Sequence, residues 1–299
     1  FTLEFIDNIR FRASAFHTIH GPSLSLRMIP KAIPSFESLY LPEIFKDFAR
    51  TENGLVLITG QTGSGKSTTL AAVIDYINQT QCRNIITIED PVEFIHKSKK
   101  SLINQREVGA STKSFAKALK SSLREDPDVI LVGELRDLET IQLAMTAAET
   151  GHLVMGTLHT SSAPKTIDRI IDVFPADDKE MVRAMLSVSL EAVIAQTLVK
   201  AVDDKGRVAA HEIMLGTPAI RNLIREAKIP QINSMMQMGS KLGMTTMRDS
   251  LNRLYEAGKI TADTLREALI TGTNQEEESS GANHAGAAKR PQGNAASSC

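Results

Sequence analysis

The sequence predicts an α/β protein built on a mostly parallel sheet and followed by a helical C-terminal region. Three observations predict it: short apolar strands recur, helical stretches separate them, and a Gly-rich turn joins one such strand to an amphipathic helix. Residues 1–34 come first, with strand-like runs at 1–6 and 10–16, the latter Arg-Phe-Arg-Ala-Ser-Ala-Phe. Alternation of apolar and polar residues there suits a half-buried sheet, too short to be a domain alone. From residue 35 to about 160 the pattern changes. Leu55-Val-Leu-Ile-Thr59 reads as a buried strand, and Leu70, Val73, Ile74 and Ile77 fall at i, i+3, i+4, i+7 of a helix. Ile85-Ile-Thr-Ile88, Val129-Ile-Leu-Val132 and Leu153-Val-Met155 are further strands, each after a helical stretch, which predicts a parallel sheet covered on both faces. Beyond Asp168 helices are expected to dominate, at 218–227, 246–257 and 261–269, with Thr261 placed to cap and Asp263 in the first turn. Residues 274–299 are rich in Gly, Ser, Ala, Asn and Glu, with no aliphatic residue larger than Ala, and are expected to be disordered.

Bulk properties narrow the class. A chain of 299 residues can bury one sizeable core or two modest ones. No apolar run approaches the roughly 18 residues of a membrane span, and no signal peptide opens the chain, so a cytoplasmic protein is expected. The first residue is Phe1, consistent with a piece of a longer protein. Two cysteines, Cys82 and Cys299, exclude a disulfide framework and a four-cysteine zinc site. With 34 Lys+Arg against 35 Asp+Glu, no nucleic-acid partner is expected, because such partners demand a basic stripe.

The strongest chemical signal is Gly60-Gln-Thr-Gly-Ser-Gly-Lys66-Ser67, which has the spacing G-x-x-x-x-G-K-[ST] between a buried strand and a helix. The glycines let backbone N–H groups face phosphates, and the helix N-terminus favours anions. The nucleotide-binding candidates are therefore Gly60, Thr62, Gly63, Ser64, Gly65, Lys66, Ser67 and Thr68. Lys66 is expected to bridge the β- and γ-phosphates of ATP, and the Ser67 hydroxyl to ligate Mg²⁺.

Hydrolysis needs an acidic strand end as well. Asp128-Val-Ile-Leu-Val-Gly-Glu134 delivers Glu134 beyond a buried strand, and we read it as the general base. An aspartate is more usual directly after the apolar run, where Gly133 stands, so the expected metal contacts are Ser67 and, through water, Glu134. Ile88-Glu-Asp-Pro-Val-Glu93 presents three carboxylates at a third strand end. Taken alone it is a solvated loop. Its place one βαβ unit after the Gly-rich turn makes Glu89 a candidate contact to metal or water. His152 and His159 stand seven residues apart across a short strand, an odd number that points them to opposite faces and opposes joint chelation. His159 is the candidate γ-phosphate sensor.

Together these runs resemble a known family. The turn at 60–67, the acidic box Ile86-Thr-Ile-Glu-Asp-Pro-Val-Glu-Phe94, the strand at 129–134 and the box Thr150-Gly-His-Leu-Val-Met-Gly-Thr-Leu-His159 resemble the four boxes of the secretion-type, GspE/PulE-like ATPase superfamily, which powers type II and type IV secretion and type IV pili. Ser122-Leu-Arg-Glu-Asp-Pro-Asp128, Arg136-Asp-Leu-Glu-Thr140, Ile170-Ile-Asp-Val-Phe-Pro175 and above all Ala219-Ile-Arg-Asn-Leu-Ile-Arg-Glu226 are similar to the type IV pilus retraction ATPases, the PilT or twitching-motility family. Leu135 replaces a more usual methionine, a volume-conserving change. The related assembly and type II secretion enzymes usually carry a four-cysteine zinc module, which this chain cannot build, so the retraction branch is favoured.

The resemblance implies a RecA-like ATPase domain at 35–273 with a helical C-terminal subdomain. It makes 1–34 the C-terminal part of a PAS-like N-terminal α+β domain and implies that this domain is truncated here, since the family's domain has about a hundred residues. It also implies a homohexameric ring in which ATP turnover drives pilus retraction at an inner-membrane platform protein, with membrane association only through partners, at the cytoplasmic face of the inner membrane. By family role, Lys66 and Ser67 serve phosphate and metal, Glu134 catalysis, Glu89 the water or metal, and His159 the γ-phosphate. Arg10, Arg12 and Arg27 match the segment from which the family brings arginines to the nucleotide, Arg27 being the one we assign to it. The run at 219–226 reads as an amphipathic helix with Ile220, Leu223 and Ile224 on one side and Arg221, Arg225 and Glu226 outward, a partner surface. The rival readings are a type IV secretion traffic ATPase and an accessory nucleotide-binding ring component with weak turnover. A DNA translocase is opposed by the charge balance.

Overall fold

Apolar runs of four to six residues become the inner strands of a seven-stranded sheet, because a strand covered on both faces has no polar side to show. The computed structural model describes residues 2–5, 9–29, 32–203 and 206–271. The tail at 274–299 and Cys299 lie outside them.

The chain opens with β1 (Thr2–Phe5), β2 (Ile9–Thr18) and β3 (Gly21–Ile29), an antiparallel sheet of its own in the order β1-β2-β3. Two of these strands were legible in the alternation, and β3 was missed. The expectation of half-burial is corrected: Phe16, Leu24, Leu26 and Met28 are exposed, and Ala13 and Ile29 are the buried positions. Alternation marks a strand but not what covers it.

The main body follows as α1 (Ile44–Arg50), β4 (Gly54–Thr59), α2 (Lys66–Thr80), β5 (Asn84–Glu89), β6 (Leu102–Glu107), α3 (Phe115–Ser122), β7 (Val129–Val132), α4 (Leu138–Glu149), β8 (Leu153–Leu158), α5 (Ala163–Asp172), α6 (Lys179–Ser189), β9 (Leu190–Lys200), β10 (Arg207–Leu215), α7 (Pro218–Arg225), α8 (Ile232–Met238) and α9 (Met247–Glu256). Residues 262–271 form a last helix, and Thr261 caps it as expected, accepting from the Thr264 N–H at 3.2 Å. The strand order is β10-β9-β4-β8-β7-β5-β6, parallel throughout except for β10.

Period-two alternation divides each inner strand between two cores. In β4, Val56 and Ile58 meet α1 and α2, whereas Leu55 and Leu57 face the layer built from α3 to α8. The expected dominance of helices beyond Asp168 holds in α6 to α9 and the last helix, but two strands missed in the sequence interrupt it, β9 and β10, which run antiparallel along nine register pairs. Leu-Glu-Ala-Val-Ile-Ala-Gln-Thr-Leu-Val-Lys carries alanine and leucine, so a short apolar run there reads as helix or strand alike.

A second correction concerns α7. Ile220 and Ile224 are buried as expected, but Arg221 does not point outward. Its guanidinium meets Glu191 Oε1 at 2.5 Å and donates to the carbonyls of Ser187 and Val188 at the end of α6. It thereby satisfies orphan carbonyls that a helix end leaves open. Arg221 is a strut, and the exposed part of this run is carried by Asn222, Arg225 and Glu226.

Ile130, on β7, is fully buried between neighbours on both strands and helices. Ile130→Ala is expected to cost about 2–5 kcal/mol in chemical denaturation. A loss below about 1 kcal/mol would show that this strand is not packed as described.

Candidate active site

All the candidate chemistry collects at one edge of the sheet because the strands that deliver it are parallel. β4 leads from Thr59 into Gly60, β5 ends on Glu89, β7 ends two residues before Glu134, and β8 ends beside His159. The carboxyl ends of such strands outline a crevice. Here it is a cleft of about 630 Å³.

The loop at 60–67 is shaped by close approach. Gly60 has φ +149, and a Cβ on it would lie 2.3 Å from the Gln196 carbonyl oxygen. At the other end Gly65, at φ 88, is the N-cap of α2 and supplies no capping side chain. In α3, α4, α5, α7 and α9, by contrast, Ser114, Asp137, Ser162, Thr217 and Thr246 each accept from an N–H of the first turn. α2 begins without a capping side chain, as α1, α6 and α8 also do, and of these four helix starts only that of α2 lines the cleft. The N–H groups of Lys66, Ser67 and Thr68 have no acceptor within the helix, and they sit at its positive end.

Lys66 folds over the loop, its Nζ donating to Gly60 O at 2.7 Å and Gln61 O at 3.1 Å and lying 3.5 Å from His159 Nδ1. Burial holds its ammonium below the usual lysine range, with the carboxylates of Glu134 and Glu93 pulling the other way. Glu134 is engaged on both oxygens: Oε2 accepts from Arg136 Nη2 at 2.6 Å and Oε1 lies 3.2 Å from His159 Nε2. A neutral His159 with its proton on Nε2 satisfies both its neighbours, accepting from Lys66 and donating to Glu134. Burial pushes the Glu134 carboxyl up, but the Arg136 hydrogen bond and charge, with the hydrogen bond from His159, outweigh it and hold the group below the usual range.

Glu89 lives in the opposite environment. Its Oε1 accepts from Thr87 Oγ1 at 2.7 Å and from Gln105 Nε2 at 3.1 Å. Burial is the larger influence and pushes this carboxyl above the usual range.

Of the residues singled out in the sequence, Thr62, Gly63, Gly65, Lys66, Ser67, Thr68, Glu89, Glu134, His159, Arg12 and Arg27 line this one cleft. Gly60 and Ser64 do not. They form the underside of the loop, where Ser64 is buried with no partner for its hydroxyl. Arg10 is not on the cleft, and its Nη1 is buried. Arg12 and Arg27 stand directly opposite each other across β2 and β3, so two guanidinium groups share one face. Like charges so placed repel, and an anion between them removes the penalty. His152 sits at the other end of β8 from His159, its Nδ1 3.0 Å from Ala147 O, so the two histidines are separated along the strand.

Sequence reasoning missed Arg136 as the partner of Glu134, although it quoted the run that contains it. It also missed Gln105, which stands in a polar stretch and gave no signal, and Gln196, whose only signal was a polar residue inside an apolar run. A hard divalent cation fits the donors present. Ser67 and Glu134 offer oxygens to the same cleft, and among the described residues no cluster of three or more His, Cys, Asp or Glu forms a closed metal site. Such a cation would take its other ligands from water and phosphate, the habit of magnesium.

A family profile described as "Type II/IV secretion system protein" matches residues 1–295. The twitching motility protein of Neisseria gonorrhoeae is 61% identical over 266 residues, 89% of this chain and 71% of the relative. The type IV pilus retraction ATPase PilT of Pseudomonas aeruginosa is 58% identical over 267 residues, 89% of this chain and 77% of the relative. Among solved structures, the pilus retraction motor PilT with bound ADP superimposes with a TM-score of 0.83 at 51% identity, covering 90% of this chain and 76% of that one. The ATPase DotB of Legionella pneumophila gives 0.80 at 30% identity, covering 91% and 77%.

The environment of Glu89 predicts a pH effect. A carboxyl whose folded pKa lies above its ordinary 4.5 binds its proton more readily when folded, so its contribution to stability falls as pH rises through that window. Glu89→Gln is therefore expected to raise the melting temperature at pH 7, with the gain shrinking toward pH 4. Thermal melts at the two pH values check this, and a lower melting temperature at both would contradict it.

Proposed function

The chain belongs to the type II/IV secretion system protein family, and we propose that it is the ATPase that drives type IV pilus retraction. It binds ATP with Mg²⁺ in the cleft between the loop at 60–67, Glu134 and His159, and it works as a homohexameric ring. The observation that carries this reading is the uncapped N-terminus of α2, whose open N–H groups, with Lys66, form a site for a polyphosphate chain. The 58–61% identity to pilus retraction and twitching proteins, against 30% to DotB, favours retraction over secretion traffic.

The residues of this chain divide the work. Lys66 exchanges the carbonyls of Gly60 and Gln61 for the β- and γ-phosphate oxygens, a stronger charge-assisted partner. Ser67, and Glu134 through water, would hold a divalent cation, which would supply positive charge against those oxygens. His159 turns its Nε2–H from Glu134 to the γ-phosphate. That leaves a Glu134 oxygen to accept a hydrogen bond from the attacking water and then its proton, as the bond from the γ-phosphorus to the bridging oxygen breaks. Glu89 holds a water or the cation's hydration shell from the side of β5. Arg27, with Arg12 beside it, meets the phosphates from β2 and β3, which we take as the end of a PAS-like domain that closes on the 35–273 ATPase domain. The exposed part of α7 faces the inner-membrane platform protein. Among the described residues no helix is long and apolar enough to cross a membrane, in keeping with a place at the cytoplasmic face reached through that partner.

Lys66→Ala is expected to weaken ATP binding about 10- to 100-fold, the loss of one charge-assisted contact. Glu134→Gln should bind nucleotide normally and turn over about 10²–10⁴-fold more slowly. Fluorescent-nucleotide titration and phosphate release measure the two, and undiminished turnover in Glu134→Gln removes that residue as the base. Complementation of twitching in a retraction-deficient strain by the full-length gene tests the biological assignment.

A further inference from the structure

We propose that Gln196 is a positioning residue that aims the Gly65 N–H at the nucleotide phosphates by gripping the loop from behind. The inference rests on the nucleotide reading above and assigns a residue that none of the sequence boxes contains. Gln196 lies on β9, is 4% exposed, and uses both ends of its amide. Nε2 donates to Ser64 O at 2.7 Å, and Oε1 accepts from Thr69 Oγ1 at 2.8 Å. It thus ties the crest of the loop to the first turn of α2.

Peptide geometry converts that grip into an aim. The Ser64–Gly65 peptide is planar and trans, so its C=O and N–H point in opposite directions. A carbonyl drawn back toward Gln196 sends the Gly65 N–H away from β9, toward the cleft that Gly65 lines. Two glycines of the loop make room for this strand. A Cβ on Gly60 would meet the Gln196 carbonyl oxygen at 2.3 Å, and one on Gly65 would meet Gln196 Nε2 at 3.0 Å. The hydrogen-bonding capacity of a buried amide is costly to leave unmade, so an apolar side chain at 196 leaves Ser64 O and Thr69 Oγ1 searching for partners and frees the peptide to turn.

A misaimed N–H weakens phosphate binding in the ground state and the transition state alike, so KM rises more than kcat falls. The test compares Gln196→Leu, Gln196→Glu and Thr69→Val with the unaltered chain, reading Kd for MgADP, KM and kcat for ATP, and melting temperature. Gln196→Leu is expected to raise Kd and KM tenfold or more with kcat within about threefold. Gln196→Glu keeps the acceptor for Thr69 but sets a carboxylate against Ser64 O, so it should be impaired as well. Thr69→Val should show a smaller rise, and combining it with Gln196→Leu should add little, because the two share one hydrogen bond. If Gln196→Leu does not fold, Thr69→Val decides alone. A Kd and KM within twofold of the unaltered chain in the folded variants, or a change confined to melting temperature, overturns the proposal. If the unaltered chain itself fails to bind MgADP, the nucleotide reading falls instead.

Discussion

The N–H groups at the start of α2 must face a cleft with no side chain to satisfy them, and the surrounding structure is arranged around that constraint. Each of the other capped helices closes its first turn locally with a Ser, Thr or Asp. Closing α2 in the same way would fill the place of a phosphate. The loop is instead braced from outside its own sequence. Lys66 draws Gly60 O and Gln61 O together from within the cleft, and Gln196 holds Ser64 O from beneath. Thr59, the last residue of β4, accepts the Thr160 N–H at 2.9 Å, joining the root of the loop to the segment after β8. Rigidity supplied by neighbours keeps the donors open at little cost in order.

The second requirement, two carboxylates that behave differently, follows from where their strands end. Glu89 terminates β5 with its acid group packed under Gln105 and Thr87, so burial dominates. Glu134 stands two residues beyond β7 and meets Arg136 and His159, so its hydrogen bonds and the Arg136 charge together outweigh burial. One sheet edge therefore presents one acid that tends to keep its proton and one that readily gives it up. The difference is set by neighbours, since both are glutamates on parallel strands.

How much of this was legible in the sequence depends on whether the signal was local. The loop, the strands at 55–59, 85–88, 129–132 and 153–155, and the placement of Glu134 and His159 at strand ends follow from short apolar runs set between helical stretches. β6 (Leu-Ile-Asn-Gln-Arg-Glu) has two adjacent apolar residues and then four polar ones, as an edge strand, and β9 carries alanine and leucine, so neither separates strand from helix by composition. The role of Gln196 exists only once β9 lies beside β4, with Ala195 in register with Thr59. Arg221 was misplaced for a similar reason. A helical wheel separates apolar from polar faces, yet it does not know that the end of α6 lies across the way with carbonyls to satisfy.

That strut and the grip on the loop sit on the same strand. Glu191 takes Arg221 on the side of the sheet that α7 covers, and Gln196 meets Thr69 on the side that α2 covers. Five residues separate them, an odd number, so period two sends the two side chains to opposite faces, about 17 Å apart along the strand. β9 is hydrogen-bonded to β4 on one edge and β10 on the other, so it moves with the sheet rather than by itself. A helix pinned to such a strand through Arg221 has a fixed relation to the loop at 60–67. The family run at 219–226 is therefore two things in one helix: an anchor of buried Ile220 and Ile224 with half-buried Arg221, and an exposed margin at Asn222, Arg225 and Glu226. Substitutions in the anchor disturb the sheet that carries the loop, and only those in the margin isolate what the surface does.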